Sequence, residues 1–308
     1  MINAFCGCYL GAWDSIAFLM TNILTIDLED WFQVDNFKHI FPVSTWDTCE
    51  LRVEKNILKL LQIFDKFNTK TTFFVLGWIA EKCPDLIREI HKQGHEIATH
   101  GFNHQLVCSQ TREEFKQDLQ RSIDVLSKIT GENPRGFRAP TWSINQNCPW
   151  AFDVMRECGI EYDSSLFPGR FTSPSSPRGE VKAEGSITWS HEYVSSWELT
   201  IKFADGSELT EYPITTVKIC GKSIPFSGGG YFRLFPYSFI SWGIKKLNNQ
   251  GIPAIVYLHP WEIDPQQPRQ NAGALKNFRH YVNMEKTEDK LCKLLKEFKF
   301  TSFKIIKL

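Results

Sequence analysis

The sequence predicts an α/β protein built on a parallel sheet, and three observations lead there. Short apolar runs suited to strands alternate with amphipathic stretches of helical period from residue 22 onward. Five of those runs end in a titratable or cationic residue, and parallel α/β sheets gather their functional groups at that edge. A chain of 308 residues is also long enough to bury a substantial core in one large domain. Alternation alone leaves two architectures open, a closed barrel and a doubly wound sheet.

The elements follow in order. NILTID (22–27) is an apolar run ending in an acid. From Leu51 to Phe67, residues Val53, Ile57, Leu60, Leu61 and Phe64 fall on one helical stripe. TTFFVL (71–76) has the character of a buried strand. Pro84 opens a helix and Gly94 closes it, since proline needs no amide partner in a first turn and glycine accepts the left-handed exit. HEIATH (95–100) is the next strand. Thr111 and Glu114 form a capping box for a helix that Gly131 stops. RGFRAP reads as strand, Pro149 to Cys158 as helix, and IEYDSS as a short strand. Later come Pro236 to Asn249 as helix, IPAIVYLH (252–259) as strand, Lys286 to Phe298 as helix and TSFKIIK as a final strand. The interval 168–235 breaks the rhythm. Its Pro/Ser/Gly-rich opening, FPGRFTSPSSPRGE, leads to ELTIKFADGSELTEYPI, a hairpin turning at Asp205-Gly206. We take it as a β-rich insertion in a single domain spanning 20–308.

Composition narrows the partners. Lys+Arg and Asp+Glu both count 35, so no net field favours nucleic acid or anionic lipid. Nine scattered cysteines, of which only Cys6 and Cys8 are close, read as reduced thiols of a cytoplasmic protein. Residues 1–19 are moderately apolar, lack a basic stretch and carry Asp14. They are expected to be an N-terminal extension or an overlong start rather than a signal peptide or anchor. No later run reaches the ~18 consecutive apolar residues of a membrane span, so stable membrane insertion is not expected.

The strand ends carry the chemistry. The first supplies Asp27, with Glu29 and Asp30 after it; HEIATH supplies His100, with His104 four residues on. GFRAPTW supplies Arg138, EYDSS supplies Asp163, and YLHPWEID supplies His259 and Glu262. Any one of these alone is most often a hydrogen-bonded structural residue; recurrence at five ends is what a bland fold does not require. Imidazoles four apart project from one side of a helical turn, and Gly101 permits the change from strand into it. Two histidines and one carboxylate form a site for a divalent ion, Zn²⁺ by preference, with Co²⁺, Ni²⁺ or Mn²⁺ as alternatives. Such an ion brings the pKa of bound water down to roughly 7. Asp27 would take the proton of that water, with Arg138 holding the carboxylate charged and oriented. His259 would protonate a leaving amine, with Asp163 hydrogen-bonded to its imidazole. One metal, one base and one separate acid suit hydrolysis of an amide or ester.

These segments together resemble the NodB-homology polysaccharide deacetylases, carbohydrate esterase family 4, and among them the branch found with bacterial exopolysaccharide and exosortase systems. LTIDLEDWF resembles the family's first motif, T-F-D-D, and HGFNH its H-x-x-x-H metal motif. FRAPTW resembles R-x-P-x-W, YDSS the Asp of the fourth motif, and YLHP the closing L-x-L-H. The likeness runs from about residue 22 to 300 and includes GGGYFRLFPY and YLHPWEIDPQQPR, characteristic of that branch. It implies a distorted (β/α)7 barrel and metal-dependent removal of N-acetyl groups from a hexosamine-containing glycan, in association with exopolysaccharide machinery at the membrane. By position, Asp27 is then the base, His100 and His104 are metal ligands, Arg138 orients Asp27, and His259 is the acid with Asp163 behind it. The chain departs from the family at the second Asp, a metal ligand there and Leu28 here. Glu29 shares a strand face with Asp27 and is preferred as the replacement, while Asp30 would reach in after a sharp turn.

Trp31, Trp142 and Trp261 each follow a motif residue closely, and with Tyr231 of GGGYFR they are candidates to stack on sugar rings, although a tryptophan packing the barrel mouth fits equally. Two other readings use the same residues. A catalytically silent glycan-binding protein needs neither base nor acid. A hydrolase of small cyclic amides or ureides fits the tryptophans and the large insertion less well.

Overall fold

The computed structural model describes residues 20–167 and 197–306. The N-terminal extension (1–19) and most of the FPGRFTSPSSPRGE stretch lie outside the described residues. The strands are β1 (Thr21–Leu28), β2 (Thr72–Val75), β3 (Glu96–Thr99), β4 (Gly136–Phe137), β5 (Tyr162–Asp163), β6 (Leu199–Lys202), β7 (Glu208–Glu211), β8 (Thr216–Ile219), β9 (Lys222–Pro225), β10 (Ile255–Leu258) and β11 (Lys299–Thr301). The longer helices are α1 (Val53–Lys66), α2 (Gly77–Lys82), α3 (Pro84–Lys92), α4 (Arg112–Thr130) and α5 (Ala151–Glu157). They continue with α6 (Gly229–Leu234), α7 (Tyr237–Asn248), α8 (Ala274–Tyr281), α9 (Thr287–Glu297) and the short α10 (Phe303–Ile306).

Seven strands run parallel in the order β10-β1-β2-β3-β4-β5-β7. Between β7 and β10 the wall is closed by irregular backbone. The Thr215 hydroxyl accepts the Ile255 amide at 2.7 Å, and Gly228 forms a parallel bridge to Tyr257. A Cβ at Gly228 would lie 2.2 Å from the Tyr257 ring, so only glycine allows this approach. The result is the distorted (β/α)7 barrel.

Period-two alternation sorts β1 between two environments. Leu24, Ile26 and Leu28 enter the apolar layer beneath the helices, whereas Thr25 and Asp27 meet Arg138 inside the barrel. Helix boundaries follow local chemistry: the Thr111/Glu114 capping box forms, and α4 ends at Gly131 with φ +78°.

Two expectations need correction. The β-rich interval is not wholly an insertion, because β7 is itself a barrel strand, parallel to β5, with β6 its antiparallel partner across the Asp205-Gly206 turn. TSFKIIK is not a strand throughout. The strand ends at Thr301 and α10 turns across the barrel end. Phe303 is fully buried there against Phe74, Tyr162 and Tyr212, and its amide donates to the Thr72 hydroxyl at 2.9 Å. Tertiary burial of one phenylalanine overrides the local β pattern. A second hairpin, β8–β9, turns at Cys220-Gly221, both at positive φ as a two-residue hairpin turn requires.

Candidate active site

The carboxyl end of the barrel holds a cleft of about 270 Å³ lined by Asp27, Glu29, His100, His104 and His259 among others. Arg138 organises its floor. Its guanidinium donates from Nη1 to Asp27 Oδ1 at 2.6 Å and to Thr25 Oγ1 at 2.7 Å, and from Nη2 to Ser164 Oγ at 2.9 Å. The group lies 4.1 Å above the Phe74 ring and is almost wholly buried, so a desolvated cation fixes a desolvated carboxylate.

The two histidines come together by a route other than the expected helical turn. Residues 100–104 form a loop in which Gly101 (φ +77°) and His104 (φ +53°) are both left-handed. Asp118 of α4 holds that loop by accepting the amides of Phe102 and Asn103 at 2.7 and 3.2 Å. His100 Nδ1 meets the Arg138 carbonyl at 2.7 Å, which leaves Nε2 free to face the cleft. Glu29 Oε2 lies 2.8 Å from His104 Nε2, and its Oε1 accepts the Trp261 indole N–H at 3.1 Å.

Ligand-capable atoms of Glu29, His100 and His104 all fall within 4.8 Å of one another. Burial alone would raise the Glu29 carboxyl, but the imidazoles of His104, His259 and His100 outweigh it and bring the group down to about 2. Burial holds His100 down to about 4, in the neutral form an ion requires. One ionised carboxylate and two imidazoles fit a divalent ion of borderline softness, so the residues present match the group the sequence motifs imply.

Asp30 is not in this cluster. Its Oδ1 accepts the Trp31 amide, and its Oδ2 accepts the amides of Arg52 and Val53 at 2.7 and 2.9 Å. The carboxyl caps the start of α1 from a distant strand end; burial raises it to about 6 against those three amide bonds. The contrast gives a direct test by calorimetric titration and urea denaturation. Glu29→Gln lowers Zn²⁺ affinity by about 100-fold. Asp30→Asn leaves affinity within about twofold and costs on the order of 1–2 kcal/mol of stability, the range of a lost helix cap.

His259 faces Asp27 and Glu29 across the cleft, with Nε2 at 3.8 Å from Asp27 Oδ2 and 3.6 Å from Glu29 Oε1. Its Nδ1 does not meet Asp163. It meets Glu262 Oε1 at 3.0 Å, and Glu262 in turn is paired with the buried Arg233. Burial disfavours charge on His259, but the bond to Glu262 and the charges of Glu262, Glu29 and Asp27 raise it to about 9. Asp163 sits in the barrel wall, accepting Ser165 Oγ at 2.5 Å and sharing a hydrogen bond with Glu211. Burial and the adjacent Asp163 charge push the Glu211 carboxyl up. Sequence reasoning noted Glu262 at a strand end without a role, and missed Arg233 and Asp118.

The aromatic candidates separate. Trp31 is buried edge-to-face against Phe32 and Phe41, with its indole N–H on the Glu50 carbonyl, so it belongs to the core. Trp261 lines the cleft but is 5% exposed, stacked between His259 and His280, and its polar edge serves Glu29. Trp142 and Tyr231 are half-buried cleft-lining rings, and Trp142 rests edge-on against Tyr257 at 4.5 Å. Among the described residues, all seven cysteines are free thiols and no helix is long and apolar enough to cross a membrane.

Known proteins share stretches of this sequence and its fold. Residues 38–162 match the polysaccharide deacetylase family, and residues 189–307 match a domain of unknown function (DUF3473). The peptidoglycan deacetylase of Helicobacter pylori is 29% identical over 119 residues, 39% of this chain and 40% of that protein. The peptidoglycan-N-acetylglucosamine deacetylase of Bacillus cereus is 27% identical over 149 residues, 42% of this chain and 54% of that protein. The chain thus spans about half the length of these relatives, or less. A solved structure of a candidate polysaccharide deacetylase from Mycobacterium smegmatis shares the fold, with a TM-score of 0.57 at 18% identity over 94% of this chain and 90% of that one. Fold and site define a parallel barrel with a His/His/carboxylate cluster at its mouth. Over residues 38–162 the chain is similar to the polysaccharide deacetylases, the NodB-homology class.

Proposed function

We propose that this protein hydrolyses N-acetyl groups from a hexosamine-containing polysaccharide, yielding acetate and a free amine. The observation that carries the reading is the convergence, in one cleft, of an arginine-held carboxylate, an imidazole facing it, and a three-residue ligand set beside them. A divalent ion, Zn²⁺ by the softness of the donors, held by Glu29, His100 and His104, would polarise the amide carbonyl and acidify water. Asp27 is the base that receives the proton of the attacking water, and the hydrogen bond from Arg138 keeps its carboxylate aimed. His259 is the acid: its Nε2 reaches the cleft from the side opposite Arg138 and delivers a proton to the departing nitrogen. Burial of Asp27 and Arg138 strengthens the interaction between them over its value in water.

The half-buried rings of Trp142 and Tyr231 offer apolar faces to a pyranose, which supports a sugar rather than a peptide substrate. The test is acetate release from N-acetylglucosamine oligomers and peptidoglycan fragments. Zn²⁺-loaded protein releases acetate, a chelator stops it, and added ion restores it. Protein that holds one ion per chain yet frees no acetate from either substrate class overturns the proposal and leaves a glycan-binding role.

A further inference from the structure

We propose that Glu262, anchored by Arg233, is the positioning residue that aims the His259 imidazole into the cleft, the task the sequence motifs give to Asp163. The inference rests on the reading of His259 as proton donor. It begins with local geometry: Pro260–Ile263 is a 3-10 turn, in which positions three apart eclipse, so HPWE sets the Glu262 carboxylate directly against the His259 ring. Nδ1 and Oε1 are 3.0 Å apart, and Glu262 is fully buried.

With Arg233 donating to the same carboxylate, Glu262 is the acceptor of the Nδ1 hydrogen, and Nε2 is the nitrogen presented to Asp27 and to substrate. A carboxylate buried this deeply needs a cation, and Arg233 of α6 supplies it. Arg233 is itself fixed. Its Nη2 donates to the Arg279 carbonyl at 2.7 Å, and its guanidinium lies 5.0 Å over Trp261. Its own carbonyl accepts Asn283 Nδ2 at 3.1 Å and Lys290 Nζ at 3.2 Å. The GGGYFR segment therefore has a second function beyond closing the barrel against Tyr257. It delivers Arg233 to the back of the catalytic imidazole.

Asp163 has no imidazole partner here. Its hydrogen bonds go to Ser165 and Glu211, within the wall between β5 and β7. The supporting carboxylate has moved from the fourth motif's strand to the turn that follows the histidine itself.

The experiment uses Zn²⁺-loaded, ¹⁵N-histidine-labelled full chain, with two readouts. The first is the downfield Nδ1 proton resonance of His259, the signature of a hydrogen bond to a carboxylate. The second is kcat and KM for acetate release from an N-acetylglucosamine oligomer. Glu262→Gln is expected to abolish the downfield resonance and lower kcat about 100-fold with KM within about twofold, while Glu262→Asp recovers at least about a tenth of wild-type kcat. Because Glu262→Gln leaves Arg233 buried without a counter-charge, Glu262→Gln/Arg233→Met is measured beside it and shows the same losses. Asp163→Asn keeps the resonance, and its loss in kcat is at least about tenfold smaller. A resonance that survives Glu262→Gln, or disappears in Asp163→Asn, overturns the assignment. Wild-type protein that releases no acetate overturns the deacetylase reading instead, while the resonance still decides between Glu262 and Asp163.

Discussion

Asp27→Asn should lower acetate release by about 10³-fold, the middle of the range that a positioned general base contributes. The substitution is nearly isosteric and keeps an acceptor for Arg138, so the floor of the cleft stays in place. It removes the one property the reaction needs, a carboxylate able to accept a proton. Asp27 is 2% exposed and its two oxygens are divided between tasks: Oδ1 bonds Arg138 at 2.6 Å, while Oδ2 faces His259 Nε2 at 3.8 Å. The oxygen that Arg138 does not bond is thus the one turned toward the imidazole. Zn²⁺ affinity should change by less than about threefold, because the three clustered donors lie on other side chains. KM should hardly move. A variant that keeps more than about a tenth of wild-type activity would show that the proton goes elsewhere, with Glu29, 3.6 Å from His259 Nε2, as the other carboxylate facing that nitrogen.

The fold was legible because the helices announce their own ends and the strands their own alternation. Thr111, Gly131 and Pro84 act within one turn of chain, so no distant information is needed to place them. β7 and the C-terminal turn were not legible for the opposite reason. Nothing local distinguishes a hairpin arm that joins the main sheet from one that hangs off it; the difference is the pairing of Tyr162 with Thr210. In TSFKIIK the β pattern is intact, and burial of Phe303 at the barrel end decides the outcome. The candidate site divides along the same line. Period two puts Glu29 on the face of Asp27, and its carboxylate lies beside His104. The role of Asp30 depends on a helix start more than twenty residues away, which sequence spacing does not reveal. The support of His259 depends on a 3-10 turn, whose period of three matches neither the strand period of two nor the helical period of 3.6. What strand ends display is visible in sequence. What holds those groups from behind comes from elsewhere in the chain, and only three-dimensional proximity shows it.

Arg138→Met carries the largest expected loss of stability and tests whether that backing is electrostatic or steric. Methionine has an unbranched, adaptable chain and can fill most of the space above Phe74, so the cavity left behind is small. The hydrogen bonds to Thr25, Asp27, Ser164 Oγ and the Ser164 carbonyl all disappear. More costly is what remains, because the Asp27 carboxylate stays buried without its cation. Removal of one partner from a buried ion pair costs about 3–5 kcal/mol, measurable as a shift in the urea midpoint. The same change frees Asp27 Oδ1 from the bond that aims the carboxylate, so activity should fall with stability although the introduced thioether touches no substrate. Asp27→Asn/Arg138→Met separates the two explanations. With the charge removed from both sides, no carboxylate is left uncompensated, so the double variant should be more stable than Arg138→Met alone by about 1–3 kcal/mol. A double variant that loses the full sum of the single effects would mean that Arg138 acts as a spacer between β1 and β4, and that the charge on Asp27 is maintained by some other group in the cleft.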